Sequence, residues 1–268
     1  MTAILLACLA AAVAGGTLVW LLSLLVGRVC IVDAFWGPGF GLVTAVALLN
    51  VPETSRGWPE WLLLGLVLVW GLRLGLHLGV RIIRAGEEDR RYAAMRRKYD
   101  PNFHLKSLGI VFLLQAVILW FVSLPVTTAI AVTTVPDDWI QRIAAAAGSL
   151  CWALGLFFEA VGDWQLARFR ANPANAGRVL DSGLWALTRH PNYFGDFCVW
   201  WGLWLTSLAA GAPLWTVAAP AVMAFFLIKV SGVPMLEGDI ASRRPGYADY
   251  ALQTNAFFPG FRKNTRSA

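Results

Sequence analysis

The chain is 268 residues long, 58% hydrophobic and only 14% charged, with 14 tryptophans. A water-soluble domain carries closer to a quarter charged residues, so this composition, with a mean hydropathy of +0.61, excludes an ordinary soluble globule. Lys and Arg outnumber Asp and Glu 22 to 16, a bias that in so apolar a chain reads as membrane topology, with no nucleic-acid partner expected.

A helix needs about 20 apolar residues to cross a bilayer. In chain order the apolar runs are 3–26, 31–51, 61–83, 108–132, 143–166, 197–210 with its preceding turn, and 213–230, which predicts an all-α polytopic protein of about seven transmembrane helices. The first run lacks a basic leader and a small-residue cleavage site, so it reads as a retained span. Asp33-Ala34-Phe35-Trp36-Gly37-Pro38-Gly39-Phe40 interrupts the second run. Such a break is tolerated at membrane depth where it faces protein or a cavity. The cysteines Cys8, Cys30, Cys151 and Cys198 lie far apart, without C-x-x-C spacing, and are expected as buried small hydrophobes, with no metal site.

Basic residues fall in alternate loops. An N-terminus outside and a C-terminus in the cytoplasm places 84–106, 168–189 and the tail on one inner face. With no internal repeat or low-complexity linker, 1–268 reads as one membrane domain, and the chemistry is expected on that face.

Three polar segments stand out. Glu159, Asp163, Gln165 and Arg170 lie at the end of the fifth run, where an ionised group facing lipid costs several kcal/mol, about 2.5–3.5 on insertion scales. Glu159 and Asp163, four apart, share a helix face, either as part of an ion pair with Arg168 or Arg170 or as a pocket wall. Arg189-His190-Pro191-Asn192-Tyr193-Phe194-Gly195-Asp196 reads as a helix start, since Pro suits a first turn and the N-terminus attracts anions. The run from Arg84 to Lys98 is either a solvated amphipathic face resting on anionic lipid or a source of guanidinium donors, Arg90 or Arg91, for a phosphate.

Ser182-Gly183-Leu184-Trp185, Arg189-His190-Pro191-Asn192-Tyr193 and Gly195-Asp196 resemble the C-terminal motif of the membrane steroid 5α-reductase and sterol reductase superfamily. With Asp33-Ala-Phe-Trp-Gly-Pro-Gly-Phe and Asp163-Trp-Gln-Leu, the chain is similar to a bacterial branch of that superfamily with a domain of unknown function, DUF1295. The specific resemblance covers 159–261, which it implies is a cofactor-binding half.

The resemblance implies an NADPH-dependent reductase of an activated C=C bond in a steroid-, sterol- or lipid-like substrate, in a bacterial inner membrane. It implies cofactor binding by Glu159, Asp163, Arg170, Arg178, Arg189, His190, Asn192, Tyr193 and Asp196. Arg90 and Arg91 are the candidates for the 2′-phosphate. Glu159 stands where the steroid reductases have asparagine, and Glu237 where they have the tyrosine proton donor. The proton-donor candidates are therefore Glu237, Asp33 and Tyr193.

The R-H-P-x-Y helix start and the tail glutamate are also similar to isoprenylcysteine and phospholipid methyltransferases, which use S-adenosylmethionine. Their usual adjacent glutamate pair is absent, since Gly238 follows Glu237. A third alternative is a non-enzymatic lipid-binding protein, in which buried charges would have no use.

Overall fold

The computed structural model describes residues 1–132, 138–230, 237 and 244–263. Among them every regular element is helical. The protein is an all-α polytopic membrane protein, with five helices among the described residues long and apolar enough to span a bilayer: Thr2–Val26, Ile31–Leu49, Trp58–Ala85, Phe103–Ala131 and Trp139–Ala171. We number the α-helices α1 (Thr2–Val26), α2 (Ile31–Leu49), α3 (Trp58–Ala85), α4 (Arg90–Tyr99), α5 (Phe103–Ser107), α6 (Leu114–Ala131), α7 (Trp139–Ala171), α8 (Pro191–Ala209), α9 (Ala218–Phe225) and α10 (Tyr247–Gln253). A π-turn, Leu108–Leu113, joins α5 to α6 in one long helix.

The sixth and seventh expected spans fall on weaker elements. Helix α8 has 19 residues but opens on Asn192 and Asp196, which lower its hydropathy, and the apolar stretch Leu214–Val230 is shorter than 18 residues.

The chain forms two compact units. The first comprises Met1–Ala145 with Thr206–Ala219, the second Ala146–Leu205 with Pro220–Ala268.

In the first unit, α1 exposes Leu18, Leu21, Leu22 and Leu25, as a lipid-facing helix should, while Cys8 and Ala12 are buried. It stops at Gly27, whose φ of 73° suits glycine and whose N–H bonds Ser23 O. Contrary to the expected interruption, α2 runs unbroken through Pro38. Its glycines serve packing instead. Gly37 lies against Gly71 of α3 so closely that a Cβ on either would strike the other's backbone carbonyl, and Gly75 lies under the Pro38 ring. Lipid is as apolar as leucine, so helices in a bilayer associate through such small-residue contacts and the dispersion they allow.

The second unit repeats the device. On α7, Gly148 and Gly155 face Gly195 and Gly202 of α8, with backbone against backbone. Gly155→Val is expected to cost about 3 kcal/mol, because neither helix can yield a backbone atom. Gly79→Ala, whose new Cβ would meet only the Ala34 Cβ at 3.9 Å, should leave stability unchanged. Thermal unfolding in detergent distinguishes the two, and equal midpoints would refute the close-packing account.

Candidate functional site

In the second unit the chain leaves α7 and returns to α8 through a strap. Gln165 on α7 accepts the Leu184 N–H at 3.1 Å, and the Trp185 indole donates to Gly162 O at 3.0 Å. Gly183 sits at φ 62°, and a Cβ there would collide with the Gln165 amide. The Ser182-Gly183-Leu184-Trp185 motif is thus a fastening, locked from the other side by Tyr250, whose hydroxyl donates to Trp185 O at 2.6 Å.

The fastening sets Arg189 and His190 at the start of α8. Arg189 makes a bidentate pair with Glu237 (2.8 and 3.0 Å), and its Nη1 donates to Ala251 O and Thr254 O at 2.7 and 2.9 Å. His190 Nε2 lies 2.9 Å from Glu237 Oε1, and its ring stacks on Tyr193 with centroids 5.5 Å apart. Burial lowers the His190 pKa, outweighing the attraction of Glu237 for a proton on the ring, so the neutral imidazole donates. Burial alone would raise Glu237, but the hydrogen bonds from Arg189 and His190 overcome it and hold the carboxyl below its usual range. Burial, reinforced by the Glu237 charge, pushes the Tyr247 phenol up to about 12. Glu237 is therefore an ionised counter-ion, poorly suited to hand over a proton.

On α7, Glu159 and Asp163 are buried, 4% and 8% exposed. Asn192, one residue into α8, donates to Asp163 Oδ1 at 3.3 Å, and its own Oδ1 accepts the Tyr193 N–H at 3.1 Å. Arg170 lies seven residues beyond Asp163 on the same helix face, exposed at the end of α7. Arg178 is exposed in the strap, and its carbonyl accepts from Arg244 at 2.7 Å. Asp196 is half-buried on α8.

The first unit holds a separate polar cluster. Asp33, in the first turn of α2, pairs with Arg91 Nη2 at 2.6 Å and accepts the Tyr92 hydroxyl at 2.6 Å. Gln115 donates to the Tyr92 oxygen at 3.2 Å. Gln115 also lines a small recess with Val32, Phe35, Trp36 and Leu119. Burial and the Asp33 charge raise the Tyr92 pKa well above the phenol range, and Asp33 and Asp89 keep Arg91 firmly protonated against its own burial.

Helix α4 is anchored for this purpose. Asp89 caps it, bonding the Arg91 N–H at 2.9 Å. Glu88 accepts the N–H groups of Val29 and Cys30 at 2.8 and 2.9 Å, tying α4 to the start of α2.

The residues nominated from sequence thus divide. Glu159, Asp163, Arg170, Arg178, Arg189, His190, Asn192, Tyr193, Asp196 and Glu237 belong to the second unit, and Asp33, Arg90 and Arg91 to the first. Arg91 turns to Asp33, while Arg90 is exposed. Sequence reasoning missed Tyr92 and Gln115. Gln115 carried a signal, as the one carboxamide in a helix whose other polar side chains are the hydroxyls of Ser123, Thr127 and Thr128. Tyr92 was hidden in the charge run.

Residues 19–254 match the family described as a protein of unknown function, DUF1295. The chain belongs to this family. A stretch of 105 residues, 38% of the chain, is 33% identical to "Probable O-methyltransferase ustE" of Ustilaginoidea virens. The match spans about a third, 34%, of that relative's length. No solved structure matches the chain.

Proposed function

We propose that this DUF1295 protein is an integral-membrane reductase that uses NADPH to reduce an activated C=C bond of a lipophilic, steroid-, sterol- or lipid-like substrate. The observation that carries this reading is the buried Asp163–Asn192 pair with Arg170 in line beyond it on α7. The donor set suits the cofactor. A carboxylate and a carboxamide match ribose hydroxyls and an amide, and the guanidinium groups of Arg170 and Arg178 match phosphates with forked donors. Arg189 and His190 are engaged by Glu237 and the tail, which leaves them the task of positioning the start of α8 rather than holding phosphate.

When bound, NADPH supplies the hydride. Asp163 and Asn192 would orient it through their hydrogen-bonding groups. Within the second unit the proton donor is the phenol of Tyr193, next to Asn192 and stacked on His190, since Glu237 is engaged as a counter-ion.

A second reading is an S-adenosylmethionine-dependent methyltransferase, favoured by the partial likeness to the O-methyltransferase-named relative. That ligand has no phosphate for a guanidinium group to bind. Isothermal titration of the purified protein with each ligand separates the readings. NADPH is expected to bind, and Asp163→Ala to weaken it by about 10- to 100-fold, since a hydrogen bond to a charged group contributes about 1.5–3 kcal/mol. Binding of S-adenosylmethionine alone would replace the reductase reading.

A further inference from the structure

Helix α4 has two faces with different tasks. Tyr92 is buried, and Met95 and Tyr99 are half-buried on the same side, while Arg96 packs over the Phe103 ring at 5.1 Å. Arg90 and Arg97, two turns apart on one azimuth, point the other way and are exposed, as are Lys98 and, at the end of α3, Arg84. The acids of this segment are largely engaged elsewhere: Glu88 caps α2 and contacts Arg96, and Asp89 binds Arg91. The guanidinium groups of Arg84, Arg90 and Arg97 have no partner among the described residues.

The position of α4 decides what can meet these cations. It connects the end of α3 to the start of the long helix Phe103–Ala131, so it lies where two spans leave the hydrocarbon. The spans beside it present Leu76, Val80, Ile83 and Leu105 as exposed apolar side chains. Apolar side chains facing acyl chains, with unpaired arginines directly beyond them, are complementary to an anionic amphiphile.

We propose that the outward face of α4, with Arg84, Arg90 and Arg97, is a docking surface for the anionic headgroups of membrane phospholipids. Headgroup binding there steadies the helix whose inner face holds Arg91 and Tyr92 on Asp33. The proposal does not depend on which reaction the protein catalyses.

The test uses the full-length protein in nanodiscs of phosphatidylcholine alone or mixed with phosphatidylglycerol. Amide exchange of 90–99 is expected to slow in the mixed discs, and phosphatidylglycerol to be retained in native mass spectra. Arg90→Gln with Arg97→Gln should weaken that retention by roughly 25-fold, about fivefold per arginine, and raised salt should weaken it in the wild type. If the double variant fails to fold, Arg84→Gln alone and the salt titration carry the test. Equal exchange in both lipids, or retention unaffected by the substitutions and by salt, would overturn the proposal. Equal protection by inorganic phosphate or NADPH in phosphatidylcholine discs would overturn it in favour of a soluble phosphate ligand.

Discussion

Arg189→Ala is expected to lower the stability of the C-terminal segment by about 3 kcal/mol, the lower end of the cost of removing one partner of a buried ion pair, because Glu237 keeps 23% of its side chain exposed. The guanidinium is the hub of that segment. It neutralises Glu237 and satisfies two carbonyls at the C-terminal end of α10, Ala251 and Thr254, while its backbone N–H bonds Asn255 O. Without it, Glu237 keeps only neutral donors among the described residues, the His190 imidazole and the Tyr247 hydroxyl. The midpoint of thermal unfolding should fall by about 10 °C, and protease should reach 244–263 sooner. Arg189→Lys keeps the charge but loses the fork and should fall between. An alanine variant with the wild-type midpoint would show that the network contributes nothing.

The same network fixes a pH dependence. Both His190 and Glu237 have folded pKa values below their ordinary 6.5 and 4.5. The unfolded chain therefore takes up protons that the folded one refuses, so stability falls as pH drops below 6.5 and again below 4.5. Neutral and mildly alkaline pH retains the full contribution. Unfolding midpoints measured between neutral pH and about pH 4 should decline in this order, and a midpoint that rose on acidification would contradict the neutral-His190 assignment.

Tyr193→Phe should abolish most turnover while leaving the fold intact. The ring is half-buried at the start of α8 and stacks on His190 with centroids 5.5 Å apart. Phenylalanine keeps that stacking and removes the hydroxyl with its transferable proton. A positioned general acid contributes about 10²- to 10⁴-fold, which is the loss expected in NADPH oxidation with an enone substrate. A variant with wild-type turnover would rule the Tyr193 phenol out as the donor.

The membrane helices were legible because lipid makes local demands: each span must be apolar and must bond its own backbone. Hence the first five runs recur within a few residues. The extra turns of α3 and α7 lie at polar ends, where charge can reach water. Asp33, Glu159 and Asp163 were legible as acids in apolar surroundings. Their partners were not. Asp33 meets Arg91 and Tyr92 58 and 59 residues away, and Glu237 meets Arg189 48 residues away. Nothing in the neighbourhood of Glu237 distinguishes a proton donor from a counter-ion.

The glycines show the same division. Spacing in sequence revealed small residues in the second run and read them as a break, whereas packing made Gly37 and Gly75 the contact surface between α2 and α3. By itself the sequence determined that this is a helical membrane protein and which residues are too polar to face lipid, since transfer free energies belong to individual side chains. Only the tertiary structure decided which carboxylate is held ionised, which arginine is engaged and which phenol keeps its proton. Those properties depend on distances of about 3 Å between groups far apart in the chain, and on water having been excluded from between them.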